Sequence, residues 1–181
     1  MPASDYVKSL RARVGHDLVM FPTVSAVVLN DRGEILLGQR SDNHRWALIA
    51  GMMDPGEQPA DAVVREVLEE TGVHVKVERL GGVALHDVTY PNGDRCQMVN
   101  SWFRCREIGG EARVNDSESI AVGWFALDAL PELSAFAHQR IRTALDDSAP
   151  AWFAQPGETI DGGQTGQPGR ITAATEGTGP A

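Results

Sequence analysis

Apolar positions along the chain follow two different periods. "LVMFPTVSAVVLN" (18–30) is dense in apolar and β-branched residues, as expected of a strand covered on both faces. "NDRG" is a turn signal and "EILLGQR" resumes the extended pattern, so 18–30 and 34–40 predict a hairpin. "RWALIAG" predicts one further strand. The period then changes. "PADAVVREVLEETG" predicts a helix of about fourteen residues, with Pro59 in its first turn and Gly72 as its stop. Two long β-rich stretches follow, "VHVKVERLGGVALHDVTY" and "RCQMVNSWFRCREI", separated by the turn signal "PNGD". "AVGWFAL" is another strand, and "LDALPELSAFAHQRIRTALDD" a closing helix interrupted near Pro131. At the start, "SDYVKSLRARVG" predicts a short helix that Ser4 caps and Gly15 ends. Strands dominate around one central and one closing helix, so the expected class is α+β with a mixed sheet.

From residue 148 the texture changes. "GETIDGGQTGQPGRITAATEGTGPA" is nearly empty of large apolar residues and cannot offset the entropy of ordering. The expected organisation is an N-terminal helix in 1–17, a folded domain over 18–147 and a disordered tail over 148–181, with "PAWFAQP" as an anchor before it. The formal net charge of −9 disfavours binding to nucleic acid or to an anionic membrane. No apolar run reaches the roughly 20 residues of a membrane span, and the N-terminus lacks a signal-peptide core. Cys96 and Cys105 fall on one predicted strand at an odd separation, so they point to opposite faces as reduced thiols. The expected location is the cytoplasm.

The charge pattern is most unusual in "GMMDPGEQPADAVVREVLEETGV", which sets Asp54, Glu57, Asp61, Glu66, Glu69 and Glu70 around one arginine, Arg65. On a helical wheel Ala60, Val63, Val64, Val67, Leu68 and Thr71 cover an arc of roughly 140° and predict the core face. Glu66, Glu69 and Glu70 form a stripe beside it. Like charges at i,i+4 cost an isolated helix about 0.2–0.5 kcal/mol per pair, and none of the three sits in the first turn where the helix dipole favours acids. A solvated acidic face is one reading. The loop in front supports another, because two glycines and a proline in "GMMDPGE" suit a tight turn that folds back on the helix. Glu57 and the Gly51 carbonyl then approach the stripe. Carboxylates plus a carbonyl are hard oxygen ligands that select Mg²⁺, Mn²⁺ or Ca²⁺, and Mg²⁺ favours sites completed by substrate phosphates.

At this spacing the chain resembles the Nudix hydrolases. Gly51, Glu57, Arg65, Glu66, Val67, Glu69, Glu70, Gly72 and Val73 fill every fixed slot of that family's 23-residue motif. Trp46, "ILLGQR" and "GWFALDALP" resemble its flanks, so the likeness covers about 18–146. The resemblance implies a mixed sheet between helices and hydrolysis of a diphosphate linkage in a nucleoside diphosphate joined to a further group. It implies Mg²⁺ as cofactor, with Mn²⁺ as a substitute, held by Gly51, Glu66, Glu69 and Glu70. Arg65 and Glu57 would fix the loop on the helix. Glu66 is the first candidate for the base that activates water, and Glu118 in "NDSESIAVGWF" is the second. Arg40 and Trp46 are candidates for contact with a small nucleotide substrate. Dimers are frequent in the family, and the N-terminal helix offers an interface. Three positions depart from the family pattern: Ile49 and Ala50 stand where proline and glycine are common, and Ala121 where a glutamate is common. A binding module that senses a nucleotide without cleaving it is the alternative function.

Overall fold

The computed structural model describes residues 4–90, 92–161 and 171–172. In chain order the elements are α1 (Asp5–Val14), β1 (Val19–Leu29), β2 (Ile35–Arg40), β3 (Trp46–Ala47), β4 (Ile49–Met52), α2 (Pro59–Thr71), β5 (Val73–Thr89), β6 (Arg95–Gly110), β7 (Ser119–Phe125), α3 (Ala135–Leu145), β8 (Trp152–Phe153), β9 (Thr159–Asp161) and β10 (Ile171–Thr172). Strand β1 shows how the layers arise. Its alternate residues Val24, Ala26 and Val28 pack under α2 with Val63 and Val67, while Val27 and Leu29 pack under α3 with Phe136 and Ile141. A strand clothed on both faces must be apolar at nearly every position, and β1 is. The sheet is mixed: β6 runs parallel to β1, whereas β5 is antiparallel to β6, and β2 and β4 are antiparallel to β1. With α2 and α3 on opposite faces, this is the expected α+β sandwich.

Four local expectations change. The single strand predicted at 46–51 is two. Trp46–Ala47 pair with β2, and Ile49–Met52 cross to pair with β1, Gly51 lying opposite Val24. That crossing carries Gly51 to the side of α2. The closing helix begins only at Ala135, because Pro131 disfavours a helical residue before it and Ser134 supplies the cap, accepting the Ala137 N–H at 3.1 Å. The buried face of α2 is Ala62, Val63, Glu66, Val67, Glu70 and Thr71, with Leu68 turned outward. It is rotated from the wheel's arc because β4 packs against the glutamate side.

The fourth change is in the tail, where the anchor expected at "PAWFAQP" docks as β8 and an unexpected strand, β9, follows it. Trp152 and Phe153 join β5 in parallel at Gly82 and Val83, and β9 joins it at His86 and Asp87. Gly82 makes the room: a Cβ there would stand 2.3 Å from the Trp102 ring and 2.5 Å from the Trp152 carbonyl oxygen. Trp152 and Trp102 then stack with centroids 5.7 Å apart. Arg79 holds the approach by donating to the Asp146 and Ala149 carbonyls. The remainder of the expected tail, 162–170 and 173–181, lies outside the described residues, as do residues 1–3 of the N-terminal segment.

Both cysteines lie on β6, buried and unbridged, Cys105 facing α2 and Cys96 the cluster under α1. Helix α1 is capped by Ser4 as expected. It packs Val7 against Phe21 and Met98, and Arg11 pins it by donating to the Gly15, Asp17 and Arg95 carbonyls. No helix among the described residues is long and apolar enough to cross a membrane.

Candidate active site

The residues that the motif singles out meet at the junction of β4 and α2. Gly51 is pressed against Glu66, and a Cβ at position 51 would lie 2.0 Å from the Glu66 carboxyl carbon. Only glycine lets that carboxylate in. Arg65 spends all five N–H donors on this junction. Nε and Nη2 clasp Glu57 at 2.8 and 2.9 Å, Nη2 also reaches the Met52 carbonyl at 3.1 Å, and Nη1 reaches Glu66 Oε1 at 2.9 Å and Glu69 Oε2 at 3.1 Å. Glu57 Oε2 in turn accepts the Asp54 N–H at 3.1 Å, which closes the loop onto the helix.

Burial separates the four glutamates. Glu66 is 0% and Glu70 8% exposed, whereas the Glu69 side chain is about half exposed. Desolvation pushes Glu66 up to about 7 against the pull of Arg65. It pushes Glu70 up to about 8, with the Glu66 and Asp116 charges adding to the rise and the Ala50 N–H opposing it. Glu57 is held below the ordinary carboxylate range by Arg65. Glu66 Oε2 is buried with no hydrogen-bond partner among the described residues. In this arrangement no three His, Cys, Asp or Glu side chains among the described residues converge as a ligand set, and Arg65 holds Glu69 and one oxygen of Glu66. The donor chemistry that remains, a bare buried oxygen beside a second buried carboxylate, suits a hard divalent cation.

Glu70, Gly51 and Ala50 open on a cleft of about 980 Å³ that Arg40, Trp46 and Glu118 also line. The segment carrying Glu118 is tied to the end of α2: Arg113 N and Asn115 N donate to the Thr71 and Glu70 carbonyls, and Asn115 Nδ2 to those of Leu68 and Glu69. Asp116 Oδ1 accepts the Glu118 N–H at 3.0 Å, and the Glu118 carbonyl accepts the Ser41 N–H at 2.7 Å. Arg40 is clasped by Asp42 at 2.9 and 2.5 Å, and Trp46 stands edge-on to Phe125 at 4.7 Å. Each therefore has a protein partner besides the cleft. Ala50 keeps a negative φ, so no glycine is needed there. Ile49 is buried under α2.

Sequence reasoning missed the opposite end of the cleft, where Thr23, Ser25, Asn100 and Arg140 supply polar groups. Their hydrogen bonds span 75 to 115 residues of chain. The available signal was a serine and a threonine inside the apolar run of β1 and an asparagine inside β6.

Residues 20–147 match the family description "NUDIX domain". The chain is 39% identical over 129 residues to a MutT-like protein of Streptomyces ambofaciens, covering 71% of this chain and 79% of that one. It is 36% identical over 128 residues to an ADP-ribose pyrophosphatase of Methanocaldococcus jannaschii, covering 68% and 73%. A crystal structure of an ADP-ribose pyrophosphatase from Streptococcus suis superposes with a TM-score of 0.56 at 27% identity, covering 74% of this chain and 96% of that one.

Proposed function

The chain belongs to the NUDIX family and is a diphosphatase of that family; from that premise we propose that it hydrolyses, with Mg²⁺, a diphosphate linkage in a nucleoside diphosphate joined to a further group. The observation that carries this reading is the bare Glu66 Oε2, buried on Gly51 beside Glu70. A carboxylate oxygen kept from both water and protein donors is costly unless a proton or a cation meets it. Glu66, Glu70 and the Gly51 carbonyl would hold the metal, with Glu69 joining from its half-exposed position. When bound, Mg²⁺ neutralises the diphosphate charge and lowers the pKa of water.

The protein's own part is positioning and proton transfer. Arg65 and Glu57 are positioning residues, since every donor of Arg65 is spent on the loop and the helix. Glu66, buried at the junction with one oxygen held by Arg65, takes the proton of the attacking water. Glu118, across the cleft on the segment clamped to α2, is the second candidate for that step. Trp46 flanks the substrate, and Arg40, which lies near Glu70, meets its phosphates. We take 18–147 as the catalytic unit, acting in the cytoplasm on small nucleotides and not on nucleic acid, with a homodimer as its assembly.

The test is a panel of nucleoside triphosphates, ADP-ribose, nucleotide sugars and dinucleoside polyphosphates, each with and without Mg²⁺. Release of a nucleoside monophosphate that requires Mg²⁺ and falls about a hundred- to ten-thousand-fold in Glu66→Gln is the expected result. No product from any member overturns the reading, and tight binding without product identifies a sensor instead.

A further inference from the structure

The end of the cleft opposite the carboxylates carries a cation that the protein itself leaves uncompensated. Arg140 of α3 lines the cleft. It donates from Nη1 to Ser25 Oγ at 2.7 Å and from Nε to the Phe136 carbonyl at 3.4 Å, and its guanidinium lies 4.5 Å from the Phe136 ring centroid. Behind it Ser25 Oγ donates to Asn100 Oδ1 at 3.1 Å, and Asn100 Nδ2 to Thr23 Oγ1 at 3.0 Å, all three residues being buried. This chain of hydrogen bonds fixes Ser25 as an acceptor for Arg140 and so fixes the guanidinium plane. The Nη2 group forms no hydrogen bond to a described residue, and no described Asp or Glu forms an ion pair with Arg140.

The other arginines of the cleft that hold ion pairs contrast with it. Arg40 has Asp42, and Arg11 has Asp94 and three carbonyls. In a chain with 25 acids against 16 lysines and arginines, a largely buried arginine without an acid is conspicuous. Stacking on Phe136 accounts for the ring face, and Ser25 and the carbonyl account for Nη1 and Nε. Neither uses the outward donors. Burial alone lowers Arg140 to about 10, so it remains cationic at neutral pH. A planar donor fork held rigid from behind and open in front matches a group of adjacent anionic oxygens.

We propose that Arg140, braced by Ser25 and Asn100, is the subsite for a second anionic group of the substrate, a phosphomonoester or a carboxylate lying outside the scissile diphosphate. This rests on the diphosphatase reading above and narrows the further group that the substrate carries. Ser25 pairs with Ala50, the residue before Gly51, so the two ends lie one strand apart.

Matched ligand pairs test the subsite: UDP-glucuronate against UDP-glucose for a carboxylate, and NADPH against NADH for a phosphomonoester. Dissociation constants are measured by calorimetry with Mg²⁺ in a Glu66→Gln background, so the readout does not depend on turnover. We expect the anionic member of one pair to bind about tenfold more tightly, a difference of about 1.4 kcal/mol. Which pair shows it identifies the source of the charge. Adding Arg140→Gln should bring the ratio to about one, and Arg140→Lys should restore part of it. Ratios near one in both pairs with Arg140 present, absence of binding by all four, or a preference that survives Arg140→Gln overturns the proposal. Because these are binding ratios, they fail independently of the hydrolysis panel.

Discussion

Arg65 and Arg140 sit on helices that cover opposite faces of the same sheet, and they are used in opposite ways. Arg65 meets three carboxylates and a carbonyl, and no donor is left over. Arg140 meets a hydroxyl, a carbonyl and a ring, with one edge unused. A saturated arginine builds the site and is lost to the ligand. An unsaturated one adds little to the fold and is available to what enters the cleft. Identity and burial alone would not distinguish the two; the count of remaining donors does.

The largest expected effect contrasts the two directly. Arg65→Gln leaves Glu57 and Glu66 without their cation, and breaking a buried pair in this way costs about 3–5 kcal/mol. The expected fall in Tm is roughly 6–20 °C, readable by calorimetry. Arg140→Met removes a cation that no carboxylate neutralises, and its Tm should stay within about 2 °C of the parent. Equal losses in both variants would erase the distinction. Next in size is Gly51→Ala. The new methyl needs the space of the Glu66 carboxylate, which is a movable side-chain end, so the damage falls on chemistry more than on stability. A drop of about a hundredfold in kcat with a nearly unchanged Tm is expected.

The smallest effect concerns pH. Glu66 and Glu70 are raised by burial to about 7 and about 8 from an unfolded value of 4.5. Between those values the folded chain retains protons that the unfolded chain has released. Their contribution to the stability of the metal-free protein is therefore fullest below pH 4.5 and is lost as pH rises through about 8. Glu57, held low by Arg65, acts in the opposite sense: its contribution is lost as the solution becomes acid. The Tm gained on adding Mg²⁺ should thus be a few degrees larger near pH 8 than near pH 5. A gain independent of pH would separate the cation from these two acids.

The carboxylate end was legible in the sequence, and the basic end was not. Gly51, Glu57, Arg65, Glu66 and Glu70 lie within one loop and helix, so fixed spacing carries their geometry. Even there the wheel misplaced the buried face. It ranks positions by hydrophobicity and has no knowledge of β4, which seals Glu66 and Glu70 from the side. Thr23, Ser25, Asn100 and Arg140 come from β1, β6 and α3, and only the folded register unites them. The layers were legible because β1 and the two main helices have strong periodicity. The anchor at Trp152 and Phe153 was legible in its two aromatics, but β9 was not, because "TID" carries no apolar pattern of its own.

The docking of Trp152 and Phe153 gives β5 a neighbour on its outer edge. A version of the chain ended at residue 147, where the family match stops, would retain every glutamate of the motif. It would also bare the Trp102 indole and a run of unpaired backbone groups along β5, the kind of surface on which a second chain adds a strand. Such a fragment would keep its chemistry and gain an open edge: association through β5, rather than weak catalysis, is the failure that trimming to the family-matched unit invites.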